Sequence, residues 1–379
     1  MAPSVLRVVC GRVHRKWGSR GRLWWRIAAV MTAFALQAAL SGCSARLARV
    51  HSTLINGLCI SPAGSYLGFN LTRAKRPTAV YIVRLADGKP AAQVAKLGPV
   101  LMMGWYDDRH FYVLDDGKVR RHEVGAQTQS SEPVRLPTKT GQTVRVTRGA
   151  YVPSLDMFLM VVDGGKSGWS LYAVPRSSGR GDVVFSGRLT VQAWGVPNSQ
   201  RTLVVIASPR SEEPEKENPS VGGDLRLYYY PAVHAPKAFS LGAGRGFTGF
   251  GAISRDGRSA VLPYRDYTWK PAGGHLYIVD LPGGKARRAI GLKGGASVAR
   301  IEGQDSFVIA GPDTFATLDL RSLQLKPIPG GPVGTPSSIT TTKNMQAVVA
   351  TYPDVKIHLV DIESGKRRVL WRAPSRGRS

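Results

Sequence analysis

From residue 53 onwards the chain alternates between short apolar runs and polar segments. The apolar runs are rich in Val, Ile, Leu and Tyr, and the segments between them are rich in Gly, Pro, Asp and Ser. Runs of this composition predict β-strands, and no long stretch after Cys43 shows the period of an amphipathic helix. The pattern therefore predicts an all-β fold.

One segment, residues 247–292, shows a repeating unit most clearly. It is read as four strands, FTGFGAIS, SAVLPY, HLYIVDL and ARRAIGL, separated by the turn RDGR, the loop RDYTWKPAGG and the turn PGGK. Four antiparallel strands in chain order form a meander, which is the unit of a β-propeller blade. A single sheet of this kind cannot bury both faces alone, so the unit has to pack against copies of itself.

Copies of this unit recur along the chain as paired signals for the second and third strands. The second-strand signals lie at 64–71, 109–115, 156–163, 201–208, 258–264, 305–311 and 345–352, and the third-strand signals at 79–85, 118–124, 169–174, 225–230, 275–281, 315–320 and 356–362. An interval of roughly 40 to 55 residues is typical of propeller blades. We therefore predict a single β-propeller of seven blades over residues 54–372. Six or eight blades, or a pair of smaller β-sandwiches, are the alternatives.

Two of the copies resemble a known repeat. SPAGSYLGF (61–69) with VYIVRLADGK (80–89), and SRDGRSAVL (254–262) with LYIVDLPGGK (276–285), resemble the WD-like repeats of TolB-type periplasmic propellers. The consensus of those repeats is Ser-Pro-Asp-Gly, an apolar strand, and then Ile-Tyr-x-x-Asp-x-Asp-Gly. The match is good in blades one and five, fair in blade seven and weak in the others. The resemblance implies a propeller superfamily and does not imply a particular function.

The N-terminal segment resembles a lipoprotein signal peptide. The first 26 residues hold seven Lys or Arg and no acid, and the apolar stretch that follows, residues 27–40, is too short for an ordinary transmembrane helix. This stretch ends on the sequence LSGC (40–43), which resembles the lipobox of bacterial lipoproteins. The resemblance implies that Cys43 is lipidated and becomes the first residue of the mature chain.

These features predict the domain organisation and the location. We expect a removed signal peptide over 1–42, a lipidated tether over 43–53, the propeller over 54–372 and a basic tail over 373–379. An uncleaved membrane anchor is the alternative. The protein would then be lipid-anchored in the cell envelope and face the periplasm, and Ser44 after the cysteine favours the outer membrane where the cell has one.

Charge points to the kind of partner. The chain has 52 Lys or Arg against 25 Asp or Glu, a net charge of +27, and about +20 would remain without residues 1–42. A balance this basic favours anionic partners, which outside the cytoplasm are lipid headgroups, lipopolysaccharide or other acidic polymers before nucleic acid. The alternative is an evenly basic, solvated surface, because no block of five or six like charges occurs.

No sequence motif indicates catalysis, a metal or a cofactor. The chain has no nucleophile elbow, no His-Glu-x-x-His, no paired cysteines and no phosphate-binding loop that leads into a helix. Six histidines remain after residue 43, in unrelated strand positions: His51, His110, His122, His234, His275 and His358. We therefore predict no catalytic residue, no metal site and no cofactor.

Two further residue types have structural interpretations. Cys59 is the one cysteine left beside Cys43 after cleavage, so no intramolecular disulfide is expected, and its apolar neighbours predict a small buried side chain. Asp280, Asp319 and Asp361 share the end of a third strand, where an aspartate caps the following turn by accepting backbone hydrogen bonds.

The predicted partner-binding surface is the face of the propeller that carries the long loops. Loops between second and third strands emerge on the same face as the connections between blades, and propeller function resides in such loops. Cations beside aromatic residues, as at interface hot spots, occur in two of these loops: Arg73, Lys75 and Arg76 in blade one, and Arg265, Tyr267, Trp269 and Lys270 in blade five.

These observations lead to two hypotheses about function. The first is a non-enzymatic envelope lipoprotein, a monomer, whose propeller is a protein-interaction scaffold or binds an acidic envelope polymer. The second is a periplasmic propeller hydrolase or lyase that acts on a carbohydrate or lactone. Several His, Asp or Glu side chains at the mouth of the central channel would favour the enzyme, whereas an empty or merely basic channel would favour the scaffold.

Overall fold

The computed structural model describes the propeller region of the chain. The described residues are 53–373 without 74–75, 96–99, 116, 127–128, 133, 135–144, 164–168, 188, 198–201, 210–223, 232–236, 241–245, 248–250, 266–273, 284 and 293–294. The predicted signal peptide, Cys43 and nearly all of the basic tail lie outside these residues. Within the described part of the chain, no helix has the length and apolar character needed to cross a bilayer.

Seven antiparallel sheets of consecutive strands make up the fold, as the sequence predicts. The strands of blades 1 to 4 are β1 (Thr53–Ile60), β2 (Tyr66–Arg73), β3 (Arg76–Arg84) and β4 (Pro90–Ala95); β5 (Val100–Trp105), β6 (His110–Asp115), β7 (Lys118–Glu123) and β8 (Gln129–Ser131); β9 (Arg145–Val152), β10 (Met157–Asp163), β11 (Trp169–Pro175) and β12 (Asp182–Gly187); and β13 (Leu189–Gly195), β14 (Leu203–Pro209), β15 (Asp224–Tyr230) and β16 (Lys237–Ser240).

The remaining blades follow the same plan, except that the first strand of blade 5 consists of two short pieces. Both pieces pair with the same second strand. The strands of blades 5 to 7 are β17 (Gly246–Phe247), β18 (Ala252–Ile253), β19 (Ser259–Arg265), β20 (Gly274–Asp280) and β21 (Lys285–Leu292); β22 (Ser297–Arg300), β23 (Ser306–Ala310), β24 (Phe315–Asp319) and β25 (Leu325–Pro327); and β26 (Thr335–Thr341), β27 (Gln346–Tyr352), β28 (Lys356–Asp361) and β29 (Arg367–Arg372).

The second strand of each blade is buried on both faces, which explains its continuous apolar pattern. In β6, Phe111 and Val113 pack towards blade 1, whereas Tyr112 and Leu114 pack towards blade 3. Alternate side chains of a strand point to opposite faces of the sheet, so each blade contributes to two cores. The hydrophobic core is therefore divided among the junctions between neighbouring blades.

Contacts between first strands close these blades into a ring. First strands of neighbouring blades lie against each other in most of the ring, and β1 of blade 1 lies against β26 of blade 7. Blades 3 and 4 meet instead through β11 and β13 and through a shared hydrophobic cluster. At this last junction the Ser337 hydroxyl donates a hydrogen bond of 2.8 Å to the Ile55 carbonyl. The Arg368 guanidinium donates to the Leu85 carbonyl across the same junction. The first strands therefore surround a central channel.

An aromatic cluster fills the junction between blades 7 and 1. The Trp371 ring lies 4.9 Å from the Phe69 ring and 5.4 Å from the Tyr81 ring, measured between centroids, and Phe69 is fully buried. No described strand of blade 1 pairs with a strand of blade 7. Side-chain packing of this kind therefore joins the two blades.

The two faces of the ring differ in their connections. We call one the turn face; it is formed by the short turns between first and second strands, described at 61–65, 106–109, 153–156, 254–258, 301–305 and 342–345, and by the turns between third and fourth strands. We call the opposite one the loop face. On the turn face, Asp319 accepts hydrogen bonds from the amides of Arg321 and Ser322 at 2.9 and 2.8 Å. Asp361 accepts one from the amide of Ser364 at 2.7 Å. The predicted turn-capping role is thus confirmed for these two aspartates.

Candidate interaction surface

The strands that lead to the residues predicted to bind a partner end at two separate places on the loop face. Arg73 ends β2 and pairs in register with Arg76 at the start of β3, while Arg265 ends β19. The side chains of these three residues lie outside the described parts of the chain. Outside them with their backbone as well lie Lys75, Tyr267, Trp269 and Lys270. Blades 1 and 5 are not neighbours in the ring, so the strands that carry these residues do not form one patch.

The turn face carries a described group of residues that the sequence did not indicate. Tyr106 lies in the turn after β5 with 38% of its surface exposed. The Arg121 guanidinium lies over its ring at 5.7 Å from the centroid, and the Arg176 guanidinium at 5.4 Å. Asp156 binds Arg176. We call Tyr106, Arg121, Arg176 and Asp156 the Tyr106 cluster.

Four separate segments of blades 2 and 3 position this cluster. Tyr106 starts the turn of blade 2, where its amide donates to the His110 carbonyl at 2.9 Å. Arg121 belongs to β7 and lies opposite Tyr112 of β6. Asp156 follows a short 3-10 turn, and its own backbone has the left-handed conformation that aspartate tolerates. Arg176 directly follows β11. The cluster therefore spans the junction between the two blades.

Hydrogen bonds hold Arg176 firmly in place. Its Nε and Nη2 donate to the two carboxylate oxygens of Asp156 at 2.8 and 3.1 Å, and its amide donates to the Asp156 carbonyl at 2.9 Å. Asp156 also accepts a bond of 2.7 Å from the Tyr151 hydroxyl. The hydrogen bond from Arg176 is the main cause that lowers the pKa of Asp156, so this carboxylate is charged at neutral pH.

Buried aromatic rings support Tyr106 from below. Its ring meets the Tyr112 ring edge-on at 6.0 Å, and Tyr112 in turn meets Tyr151 at 4.8 Å and Phe158 at 4.9 Å. Edge-to-face pairs at these distances are favourable beyond the area they bury. The exposed tyrosine therefore stands on a rigid part of the core.

Neighbouring acids in the turn of blade 2 are engaged in local hydrogen bonds. Asp107 accepts bonds from the amides of Arg109 and His110, both at 2.7 Å, and its carboxylate lies 2.8 Å from Nδ1 of His110. Asp108 accepts a bond of 2.6 Å from the Ala63 amide in the turn of blade 1. These contacts fix the turn of blade 2 and join it to blade 1 at this face.

Arginine is the charged residue of the described first strands. These strands contain Arg145, Arg148 and Arg300, and they contain no Asp, Glu or His. Arg148 lies in the middle of β9 and is exposed. The surrounding protein desolvates this guanidinium and lowers its pKa.

The described residues contain one cysteine, Cys59, and several histidines. No group of three or more His, Cys, Asp or Glu suited to a metal ion occurs among the residues that the structure describes. The Cys59 thiol donates to the Gly68 carbonyl at 3.6 Å, and burial raises its pKa to about 12. A thiol with so high a pKa is a poor nucleophile. The side chain is half-buried, whereas the sequence predicted a buried one.

Comparisons with known proteins identify the fold. No protein-family model matches the chain, and no curated protein sequence matches it. Among solved structures, U3-55K is similar with a TM-score of 0.54 and 12% identity over 79% of this chain and 89% of that one. The WD40 repeats of RRP9 give a TM-score of 0.54 and 12% identity over 79% and 88%.

A Mycobacterium tuberculosis puromycin-hydrolyzing peptidase is also similar, with a TM-score of 0.59 and 14% identity over 87% of this chain. The matched part is 54% of that peptidase, so this chain spans about half of its length. Identities this low show the fold and not the activity. The chain is therefore a WD40-like, seven-bladed β-propeller.

Proposed function

We propose that this chain is a non-enzymatic scaffold of the bacterial cell envelope, tethered by lipid at Cys43, and that it binds a protein partner through the Tyr106 cluster. The observation that carries the proposal is the exposed Tyr106 ring, which two guanidiniums contact and which buried aromatic rings support. Tyr and Arg are the residues enriched at interface hot spots. A rigid base also lowers the entropy lost on binding.

The envelope location rests on the sequence. The lipobox resemblance at Cys43, the basic segment before it and the TolB-like repeats of blades one and five support a lipid-anchored propeller that faces the periplasm. The basic residues of the loop face, Arg73 to Arg76 and Arg265 to Lys270, are proposed as a second contact, made with acidic envelope polymers.

The charge of the channel favours binding over catalysis. Hydrolases and lyases need groups that move protons, usually His, Asp or Glu, close to the substrate. The charged residues of the described first strands, which surround the channel, are arginines, with no Asp, Glu or His among them. An arginine stays protonated at neutral pH and cannot act as a general base, so we prefer the scaffold to the hydrolase or lyase.

A photo-cross-linking amino acid at position 106 tests the proposed protein contact. The aromatic probe p-benzoylphenylalanine replaces Tyr106 in full-length protein expressed in its native host, and the cells are irradiated. The matched control carries the same probe at Val183, which is 49% exposed on the outer strand of blade 3. We expect a discrete protein adduct at position 106 and none at 183. Equal adducts at the two positions, or none at 106, would contradict the proposal.

Labelling with a palmitate analogue tests the tether separately. We expect the wild-type chain to incorporate the label and Cys43→Ala to lose it, because the thiol is the lipid acceptor. Fractionation of the labelled membranes then shows which membrane holds the protein. An unlabelled wild type would refute lipidation while leaving the result at position 106 unaffected.

A further inference from the structure

The two arginines of the Tyr106 cluster differ in what they bind. Arg176 is neutralised by two hydrogen bonds to Asp156. Arg121 contacts the Tyr106 ring, and among the described residues no carboxylate forms an ion pair with it. Arg176 is therefore bound within the fold, whereas Arg121 has hydrogen-bond donors that a partner can bind.

Stacking orients these donors. A guanidinium that lies over an aromatic ring presents its N–H groups at its edge, in a planar fork that matches a carboxylate. The ring beneath Arg121 is itself held by Tyr112, so the fork has a supported position before any partner arrives. Preorganised donors lose little conformational entropy when a ligand binds.

The overall charge of the chain favours an acidic ligand. Asp156 is engaged by Arg176 and Tyr151, Asp107 by two amides and His110, and Asp108 by an amide of blade 1. Glu132 also acts through its charge on Tyr112 and Arg176. Without residues 1–42 the chain carries a net charge of about +20. A positive surface attracts acidic partners from a distance and raises their rate of association.

We infer that the Tyr106 cluster binds an acidic segment of a protein, with an Asp or Glu carboxylate of that segment seated on Arg121 and its flanking side chain against the exposed edge of Tyr106. This inference rests on the proposed function, since it names the chemistry of the partner at the same surface. The side-chain carboxylates of Asp- and Glu-rich segments match the planar fork of one guanidinium that lies next to an aromatic ring.

A defined peptide tests this inference without knowledge of the natural partner. The probe is a fluorescent ten-residue peptide of alternating Glu and Tyr, and the matched probe replaces each Glu by Gln. Binding to the full-length protein in detergent is measured by fluorescence anisotropy at low and high salt. We expect the Glu peptide to bind more tightly than the Gln peptide and to weaken as salt rises.

Variants locate the binding to Arg121. Loss of a charged hydrogen bond weakens binding roughly tenfold, so we expect that effect in Arg121→Gln and a smaller one in Arg121→Lys, which keeps the charge without the fork. Arg321→Gln, in an exposed turn of blade 6, is the control and should bind as the wild type does. Equal affinity of Arg121→Gln and wild type would overturn the inference, with unchanged thermal melting as the proof of folding.

Competition distinguishes a protein segment from a polymer. Lipopolysaccharide added to the complex of protein and Glu peptide should leave the peptide bound. Displacement of the peptide from Arg121 by lipopolysaccharide would assign the cluster to a polysaccharide and overturn the inference. An adduct at position 106 whose yield is the same in Arg121→Gln would overturn it as well, while leaving the proposed protein contact intact. A third outcome is that no adduct forms at position 106 while the peptide still binds in a way that depends on Arg121. That outcome would refute the proposed protein contact in the cell and leave the acidic-ligand chemistry of the cluster intact.

Discussion

Two junctions of the ring contain aromatic clusters, and they differ in what covers them. Between blades 7 and 1, Trp371 packs on Phe69 and Tyr81, and 9% of Trp371 is exposed. Between blades 2 and 3, the cluster of Tyr112, Tyr151 and Phe158 continues to the surface through Tyr106. Burial makes the first cluster a source of stability. The second combines buried rings, which stabilise the fold, with an exposed and charged surface above them, which is the binding surface proposed above.

The largest effect on the free energy of unfolding is expected from truncating a side chain at the junction between blades 7 and 1. Trp371→Ala removes a large buried ring that packs on two others, and such changes cost about 3–5 kcal/mol of unfolding free energy. Chemical denaturation followed by fluorescence measures it. Val369→Ala, on the same strand and 38% exposed, is the control and should change stability by less than about 0.5 kcal/mol. Similar losses in the two variants would show that the junction is not the source of the effect.

A smaller effect is expected from the ion pair that anchors Arg176 at the second junction. Asp156→Asn removes the charge that accepts two bonds from Arg176, and we expect a loss of about 1 kcal/mol at pH 7, because the pair is partly exposed. The pKa of Asp156 is lowered in the folded state, so its contribution is present above the unfolded pKa of about 4 and disappears as pH falls through the folded value.

Denaturation of the wild type and of Asp156→Asn between pH 7 and pH 2 measures this difference. The two proteins should converge in stability at the acid end. A gap that stays constant across the whole range would mean that the charge of Asp156 is not what stabilises the fold.

The smallest effect, and one of opposite sign, is expected inside the second cluster. The Tyr112 hydroxyl is buried and has no hydrogen-bond partner among the described residues, and burial raises its pKa. Removing an unpaired buried hydroxyl relieves a desolvation cost, so Tyr112→Phe should be neutral or more stable by up to about 1 kcal/mol.

Tyr151→Phe is the matched control for that experiment. Its hydroxyl donates to Asp156 at 2.7 Å, so its removal should destabilise by about 1 kcal/mol. Thermal or chemical unfolding of the two variants side by side compares a satisfied hydroxyl with an unsatisfied one in the same cluster. Destabilisation of Tyr112→Phe to the same extent would indicate that its hydroxyl is paired.

The sequence predicts most of the fold because the blade is a local pattern. Each second strand is an apolar run bounded by turns, and the seven runs recur at blade spacing, so the seven sheets follow from the sequence. The divided first strand of blade 5 was not predicted, because FTGFGAIS has the apolar pattern of one continuous strand.

The Tyr106 cluster could not be predicted in the same way. Its four residues come from separate segments that meet when blades 2 and 3 pack, and no single segment contains the cluster. A local signal does exist in WYDDRH (105–110), where an aromatic residue stands at a turn otherwise occupied by small or charged residues in SPAGS and SRDGR. The long loops led to a predicted binding surface on the loop face, because a sequence shows the length of a loop but not how short turns pack together.

Each described sheet is built from one uninterrupted stretch of chain, and this has a consequence for topology. Because blades 7 and 1 exchange no strand, the sequence order of the blades could be rotated by circular permutation without changing any hydrogen-bonded pair of strands. A permuted chain that starts at blade 2 and ends with blade 1 would need a new linker from residue 373 to residue 53. The blade, and not the ring, is then the unit in which this fold can be cut and rejoined.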